Sequence, residues 1–364
     1  MASSTGKGVV RFNIKVSGTA IPNGHWQSFS VDRDLNQPDM ATIMLTNSDN
    51  SYTKSCEAGQ LVEIVIDGGE KIFEGEVVGL EPIYKGRSET KLVLRCFNKL
   101  HRLLRGRTSK SYNEKSDKQI ITEVLSKHGL TVDWKGPEIT HKVVYQHNQT
   151  DLEFVRMRAA RLGLNICCTG TNVAVKQPEL DQDSKIKYTV KQSSARDDQI
   201  RSFMPKLSSA PVVKKVTVRG WDEEKKELIV GEASPEGSKL GSSQSNAASA
   251  EHGEAETFTV DQPIRSVEEA RALAKARLIE LSLGYMTGDL EVLGSGKLVP
   301  GIVINVTVNP DAEDKFNGKY FIAGVSHRFT PDSNDSDGGF VSTCRLQRDA
   351  QSAAPDNKPA TENG

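Results

Sequence analysis

No stretch of the 364 residues approaches the roughly 18 uncharged apolar residues that a bilayer-spanning helix needs, so no such span is expected. Charge of one sign is equally missing. Against 47 Lys and Arg stand 48 Asp and Glu, which removes the basic excess of a protein held to nucleic acid mainly by counterion release, and nucleic acid is not the expected partner. Cysteine is sparse: Cys56, Cys96, Cys167, Cys168 and Cys344 form an odd set without a CxxC, which predicts reduced, mostly buried thiols instead of a disulfide framework. Met1–Phe12 lacks the apolar run of a secretory signal, in keeping with folding in the cytoplasm.

Signatures of chemistry are missing too. There is no GxSxG, P-loop or strand-coupled GxGxxG, and the seven histidines include no HExxH. No Cys/His cluster has zinc spacing, and His141 and His147, which flank an expected strand, lack a third ligand. Asp332–Gly339 superficially suggests a calcium loop, but glycine is not at its sixth position and Thr343 stands where the bidentate glutamate belongs, so a polar hairpin loop is expected. Paired carboxylates are too common on an acidic and basic surface to nominate an acid and a base. The sequence therefore predicts no catalytic residue, no metal site and no cofactor.

What is present is β pattern. A chain of this length predicts two or three domains. Residues 1–100 alternate by twos, as in Val9–Val16, Ala41–Leu45, Leu61–Ile66 and Leu92–Cys96, with a tight turn expected at Asp67-Gly68-Gly69. This predicts a first antiparallel β-barrel domain. Residues 101–190 read as an α/β insertion: Ile120, Ile121, Val124 and Leu125 share a helix face that Ser116 or Asp117 caps and Gly129 ends, and Thr150-Asp151-Leu152-Glu153 reads as a capping box for a helix ending at Gly163. Strands are expected at Thr131–Trp134, Val143–Gln146, Leu164–Thr169 and Asn172–Lys176. Residues 191–349 read as a second β-barrel domain, with strands at Val212–Trp221 and Leu228–Val230, a mobile polar loop at 231–256 and a helix at 266–283 opened by a Ser266–Glu269 capping box. Residues 350–364 read as a disordered tail. The fold class is thus mainly β, two similar antiparallel barrels with an α/β insertion.

The similarity of the two barrels is itself a sequence feature. Gly59-Gln-Leu-Val-Glu-Ile-Val-Ile and Gly301-Ile-Val-Ile-Asn-Val-Thr-Val each open a glycine-started hairpin. Met40–Leu45 and Asp289–Leu293 precede them and Lys91–Cys96 and Gly339–Cys344 follow, which predicts one β unit carried twice, with Cys96 equivalent to Cys344. A second feature is local charge: Arg95, Lys99, Arg102, Arg105, Arg107, Lys110, Lys115 and Lys118 face only Glu114 and Asp117 within their stretch, making Arg102, Arg105 and Arg107 candidates for a solvated face or an interface with an acidic neighbouring chain, with polyanion binding the alternative that no interleaved aromatics support.

Tyr145, Thr150, Asp151, Phe154 and Gly163, in the run Tyr145–Gly163, form a pattern of Tyr, short polar turn, Ser/Thr-Asp, Phe and a helix ending in Gly. The run resembles the tail baseplate hub family that includes phage late control protein D and the hub half of VgrG. Ser266–Ala274, Leu298–Val303 and Gly318–His327 are similar to the second-barrel elements of that family. The resemblance implies a structural hub of a contractile, phage-tail-like injection machine, type VI secretion included. It implies a homotrimer with a central channel that adapts three-fold to six-fold symmetry, binds an inner tube ring, a spike and other baseplate proteins, and passes cargo effectors. Cytoplasmic assembly and then a place in a virion-like, extracellular or envelope-attached particle follow from it; many relatives continue into an OB domain and β-helical spike, so the resemblance implies a spike that is either a separate polypeptide or outside the given sequence. Two other classes make different demands: a phage-derived enzyme needs a titratable cluster in the insertion, and a monomeric carbohydrate-binding or adhesive module needs exposed aromatics along one sheet face, whereas aromatics are only 6%.

Overall fold

The computed structural model of the chain describes residues 10–66, 69–85, 89–189, 200–222, 225–241, 243–244, 256–259, 264, 266–308, 314–331 and 339–351. Alternating apolar residues build the first β unit from β1 (Phe12–Val16), β2 (Thr19–Ala20), β3 (Trp26–Asp34), β4 (Met40–Thr46), β5 (Leu61–Ile66), β6 (Glu70–Lys85) and β7 (Glu89–Phe97), with one short helix, α1 (Ser51–Ser55). In β4, Ala41, Ile43 and Leu45 point inward and are fully buried, as a period of two requires. Asp67 and Gly68 of the expected turn lie outside the described residues, while β5 and β6 pair antiparallel on either side of it. β6 runs on to Lys85 because β7 accompanies it as far as Lys85↔Glu89.

The insertion follows a 3-10 turn at Lys99–Leu104. It contains β8 (Thr108–Ser116), α2 (Asp117–Ser126), β9 (Thr131–Lys135), β10 (Thr140–Gln149), α3 (Asp151–Arg161), β11 (Asn165–Thr169) and β12 (Asn172–Lys176). Ser116 and Thr150 each close a capping box, with Gln119 and Glu153 as reciprocal partners. β8 was not expected, because its polar residues face solvent and only the pairing with β10 fixes it.

Eleven further strands and one helix complete the described chain. β13 (Asp183–Thr189) lies within the span read above as insertion, yet it pairs in parallel with a strand of the second unit. β14 (Ile200–Leu207) comes next, then β15 (Lys215–Asp222), β16 (Glu227–Ala233), β17 (Ser243–Gln244), β18 (Glu256–Thr259) and α4 (Val267–Leu283). The chain closes with β19 (Met286–Leu293), β20 (Val303–Thr307), β21 (Gly318–Thr330), β22 (Gly339–Arg348) and β23 (Ala350–Gln351). β15, β16 and β18 form their own small sheet against α4, not part of a barrel as expected. The expected loop at 231–256 is likewise corrected: residues 231–233 belong to β16, 243–244 form β17 paired with β23, and 256 opens β18, while 242 and 245–255 lie outside the described residues. Of the expected tail, Ala350 is buried in that pair and 352–364 lie outside the described residues, as do 332–338 of the polar hairpin loop.

In the insertion β8 pairs with β10 and β11-β12-β9 form a three-stranded sheet; the strands of the two β units form one curled 13-stranded sheet. Its order contains the repeat. In the first unit β3-β4-β7-β6-β5-β1 are neighbours, and in the second β14-β19-β22-β21-β20-β13 are neighbours in the same order. The sixth strand differs in direction, β1 being antiparallel to β5 and β13 parallel to β20. Two bulges recur at matching places, between Trp26 and Ser28 and between Ile200 and Ser202, then between Val77 and Gly79 and between Ile322 and Gly324. Gly59 and Gly301 sit at the same φ of 91° and donate to Val77 O and Ile322 O at 2.7 and 2.8 Å. These markers agree on one register, in which Cys96 matches Leu346 and Cys344 matches Leu94. The expected equivalence of the two cysteines is therefore off by two residues, because matching strand order alone does not fix the register within a strand.

Candidate assembly surfaces

The two units meet where β21 pairs antiparallel with β3, from Gly324↔Asp34 to Phe329↔Phe29. Aromatic residues occupy one end of this seam. Phe29 and Phe329 stack with centroids 5.8 Å apart, and Phe12 stands edge-on to Phe29, Phe329 and Phe340 at 4.9, 5.3 and 5.0 Å. Each such pair contributes about 0.5–1.5 kcal/mol beyond its burial. Polar groups occupy the other end: Ser326 Oγ donates to Asp32 Oδ1 at 2.6 Å, and Arg345 forms an ion pair with Asp34. Between them His327 is fully buried with Nδ1 2.8 Å from Ser342 Oγ, and burial presses its pKa down to about 4.

The same register leaves one stretch of each unit open. β5 covers β6 only as far as Glu76, so the Gly79–Tyr84 edge of β6 has no strand beside it among the described residues. β14 pairs with β19 on one side and, among the described residues, ends the sheet on the other. Tyr84 and Met204, at 64% and 62% exposure, lie on these two open edges.

The basic strip is not a free band of charge. Arg95 pairs with Glu81, Arg102 with Glu76, Arg107 with Glu153 at 3.5 Å, Lys118 with Glu138 at 2.6 Å, and Lys110 and Lys115 both reach Glu123 at 2.5 Å. Hydrogen bonds from Lys110 and Lys115 hold the Glu123 carboxyl down at about 2. Counting only the acids inside the stretch missed these partners, which come from β6, α2, α3 and the segment before β10. Of the three candidate arginines, Arg105 is exposed and has no ion pair among the described residues.

The residues of the Tyr145–Gly163 motif hold the insertion together. Thr150 caps α3, Phe154 is fully buried and stacks on Tyr112 at 5.6 Å, and Asp151 accepts from His128 at 2.8 Å and Gln146 at 2.9 Å. Burial opposes the charge on Asp151, but the hydrogen bonds from Gln146 and His128 outweigh it and keep the carboxyl below its usual range. Gly163 has φ 66°, and a Cβ there would lie 2.9 Å from Ala276 Cβ of α4. Tyr145 alone faces solvent, at 52% exposure, beside the ring of His147.

A second contact ties the insertion to α4. Arg158 and His141 both bind Asp117, at 2.5 and 2.8 Å, and Arg161 meets Glu269 of α4 at 2.5 Å. Ser266 caps α4 by accepting Glu269 N at 3.0 Å. Burial works against the Asp117 charge, yet the bonds from His141 and Arg158 hold its carboxyl low. Every side chain in this cluster is at most 9% exposed, so it locks two bodies together and offers no face to a substrate. A cavity of about 580 Å³ opens instead between residues 232–239 and α4, with Arg271 and Lys275 above Leu278 and Ile279. Among the described residues no group of three or more His, Cys, Asp or Glu is placed to hold a metal ion, and no helix is long and apolar enough to cross a membrane. The exposed aromatics Tyr84, Tyr145 and Trp221 stand on three separate sheets, not on one face.

A family model described as the Alg8 N-terminal domain matches residues 6–331. No curated protein matches the chain. Among solved structures, a tail protein from Neisseria meningitidis superposes with a TM-score of 0.70 at 13% identity, over 94% of this chain and 97% of its own. The 43 kDa tail protein of prophage MuSo2 from Shewanella oneidensis gives 0.68 at 14% identity, over 94% and 99%. A type VI secretion component from Escherichia coli gives 0.64 at 14% identity, over 92% and 76%. At these identities the likeness is one of fold.

Proposed function

Since the chain belongs to the Alg8 N-terminal domain family and has the fold of phage tail proteins, we propose that it is the structural hub of a contractile, phage-tail-like injection machine. One observation carries this reading: the chain holds the same strand order twice, side by side in a single sheet. Three such chains in a ring present six similar units, so a three-fold hub can seat a six-fold tube ring on one side and a spike on the other. A head-to-tail ring uses heterologous contacts, which close only if the rotation between copies is right. The homotrimer and its central channel, the tube ring, the spike, other baseplate proteins and any cargo in the channel all belong to this proposal. So does assembly in the cytoplasm before incorporation into the particle. The chain acts here by geometry, without catalysis. Arg105, the candidate arginine with no ion pair among the described residues, is the cation left to meet an acidic partner.

The test is mass in solution together with imaging of labelled particles. A species of three chains, and label at the tube–spike junction, are expected. A stable monomer at micromolar concentration, or label along the tube, overturns the proposal.

A further inference from the structure

The seam within the chain is a template for a contact between chains. Carrying the register of the repeat across, β21 corresponds to β6 and β3 corresponds to β14, so the open edges of β6 and β14 are the two halves of a second seam that one chain cannot close. We propose that the Gly79–Tyr84 edge of β6 pairs antiparallel with β14 of a second copy in the register of the β21·β3 pair, which sets Tyr84 opposite Phe203, Ile83 opposite Met204 and Glu81 opposite Lys206 of that copy.

The chemistry at each position fits. Phe329 and Phe29, stacked at the seam, correspond to Tyr84 and Phe203, so the exposed tyrosine finds an aromatic face where its counterpart has one. Met204, at 62% exposure, faces Ile83 and leaves water. Ser326 and Asp32, hydrogen-bonded across the seam, correspond to Glu81 and Lys206, which places opposite charges directly across from one another. Arg345 reaches over the seam to Asp34, and its counterpart Arg95 stands at the matching edge, held there by Glu81. Pro82 and Pro205 also fall opposite each other. Both sit on strands with one open edge, where proline is tolerated, and both make the free edges poor templates for indiscriminate pairing. The occupant is therefore a second copy of this chain, recognised by side chains more than by a full hydrogen-bond ladder.

This inference rests on the ring reading, and its experiment separates the two. Ile83→Cys and Met204→Cys are placed together in the full chain and oxidised, with mass in solution measured on the unmodified chain in parallel. Disulfide-linked species that stop at three chains are expected, with neither single variant forming them. Lys206→Glu is expected to raise the concentration needed for assembly about tenfold, and adding Glu81→Lys to return it to within about threefold. A three-chain species that neither crosslinks nor responds to the charge exchange overturns this pairing and leaves the ring intact. Monomers throughout overturn both. A ladder extending beyond three chains overturns the closed ring.

Discussion

The seam and the open edge occupy one position in two copies of a unit, and almost every side chain differs between them. His327 is fully buried where Pro82 stands on the other copy, and Phe340 fills the place of Thr90. The backbone hardly distinguishes them: both edges have a bulge and a glycine beside an arginine, Gly79 with Arg95 and Gly324 with Arg345. Duplication supplied the geometry, and substitution decided which edge is shut within the chain. Aromatic rings and partnered polar groups fill the contact that is closed within the chain, while two prolines, an exposed tyrosine and an exposed methionine mark the edges that stay open.

The comparison breaks most readily at its aromatic end. Phe29→Ala, at a residue 2% exposed, is expected to cost about 3–5 kcal/mol in urea unfolding, and its counterpart Phe203→Ala, half-buried in one chain, clearly less; equal losses would deny the difference between the two edges. A second probe is pH. His327 is held neutral, with its pKa at about 4 against 6.5 unfolded, so the unfolded chain binds more protons between those values and stability is lost as pH falls through that window, by on the order of 3 kcal/mol. Asp39 acts the other way. Burial raises its carboxyl to about 6 from 3.8 despite Arg33, so it contributes stability as pH falls between those values. His327→Gln should therefore turn the pH dependence of the urea midpoint between pH 6.5 and 4.5 toward greater stability in acid; an unchanged dependence removes His327 from the account.

Smaller effects sharpen the picture of how the insertion sits on the second unit. Gly163→Ala imposes a side chain at positive φ and against Ala276, and a loss of about 1–3 kcal/mol is expected by thermal melting. Ala276→Gly should recover only the part due to contact. Smallest is Asp34→Ala, since its ion pair with Arg345 is well exposed, and less than about 1 kcal/mol is expected in the same measurement.

Much of this was legible in the chain. Period-two alternation located β1, β4, β5 and β7 of the first unit but not the seam strand β3, and the Ser116 and Thr150 caps fixed both insertion helices because capping is a local matter. β14 was not legible. Ile200–Leu207 is an edge strand containing Pro205 and no clean alternation, and only its partner β19 defines it. The motif residues Thr150, Asp151, Phe154 and Gly163 were found, but as parts of a packed insertion, whereas the open edge around Tyr84 and Met204 gave no sequence signal on its own. The repeated small residue and glycine, Val78-Gly79 and Ala323-Gly324, each beside an arginine on the next strand, was the mark that would have set the register where the cysteines misled.

The unbroken ladder from β14 to β2 also has a mechanical meaning. Thrust directed along the strands loads many backbone hydrogen bonds in shear at once, whereas pulling across them opens one rung after another. A body shaped in this way is stiff along one axis and peels along the other, and its two halves are joined as a single plate.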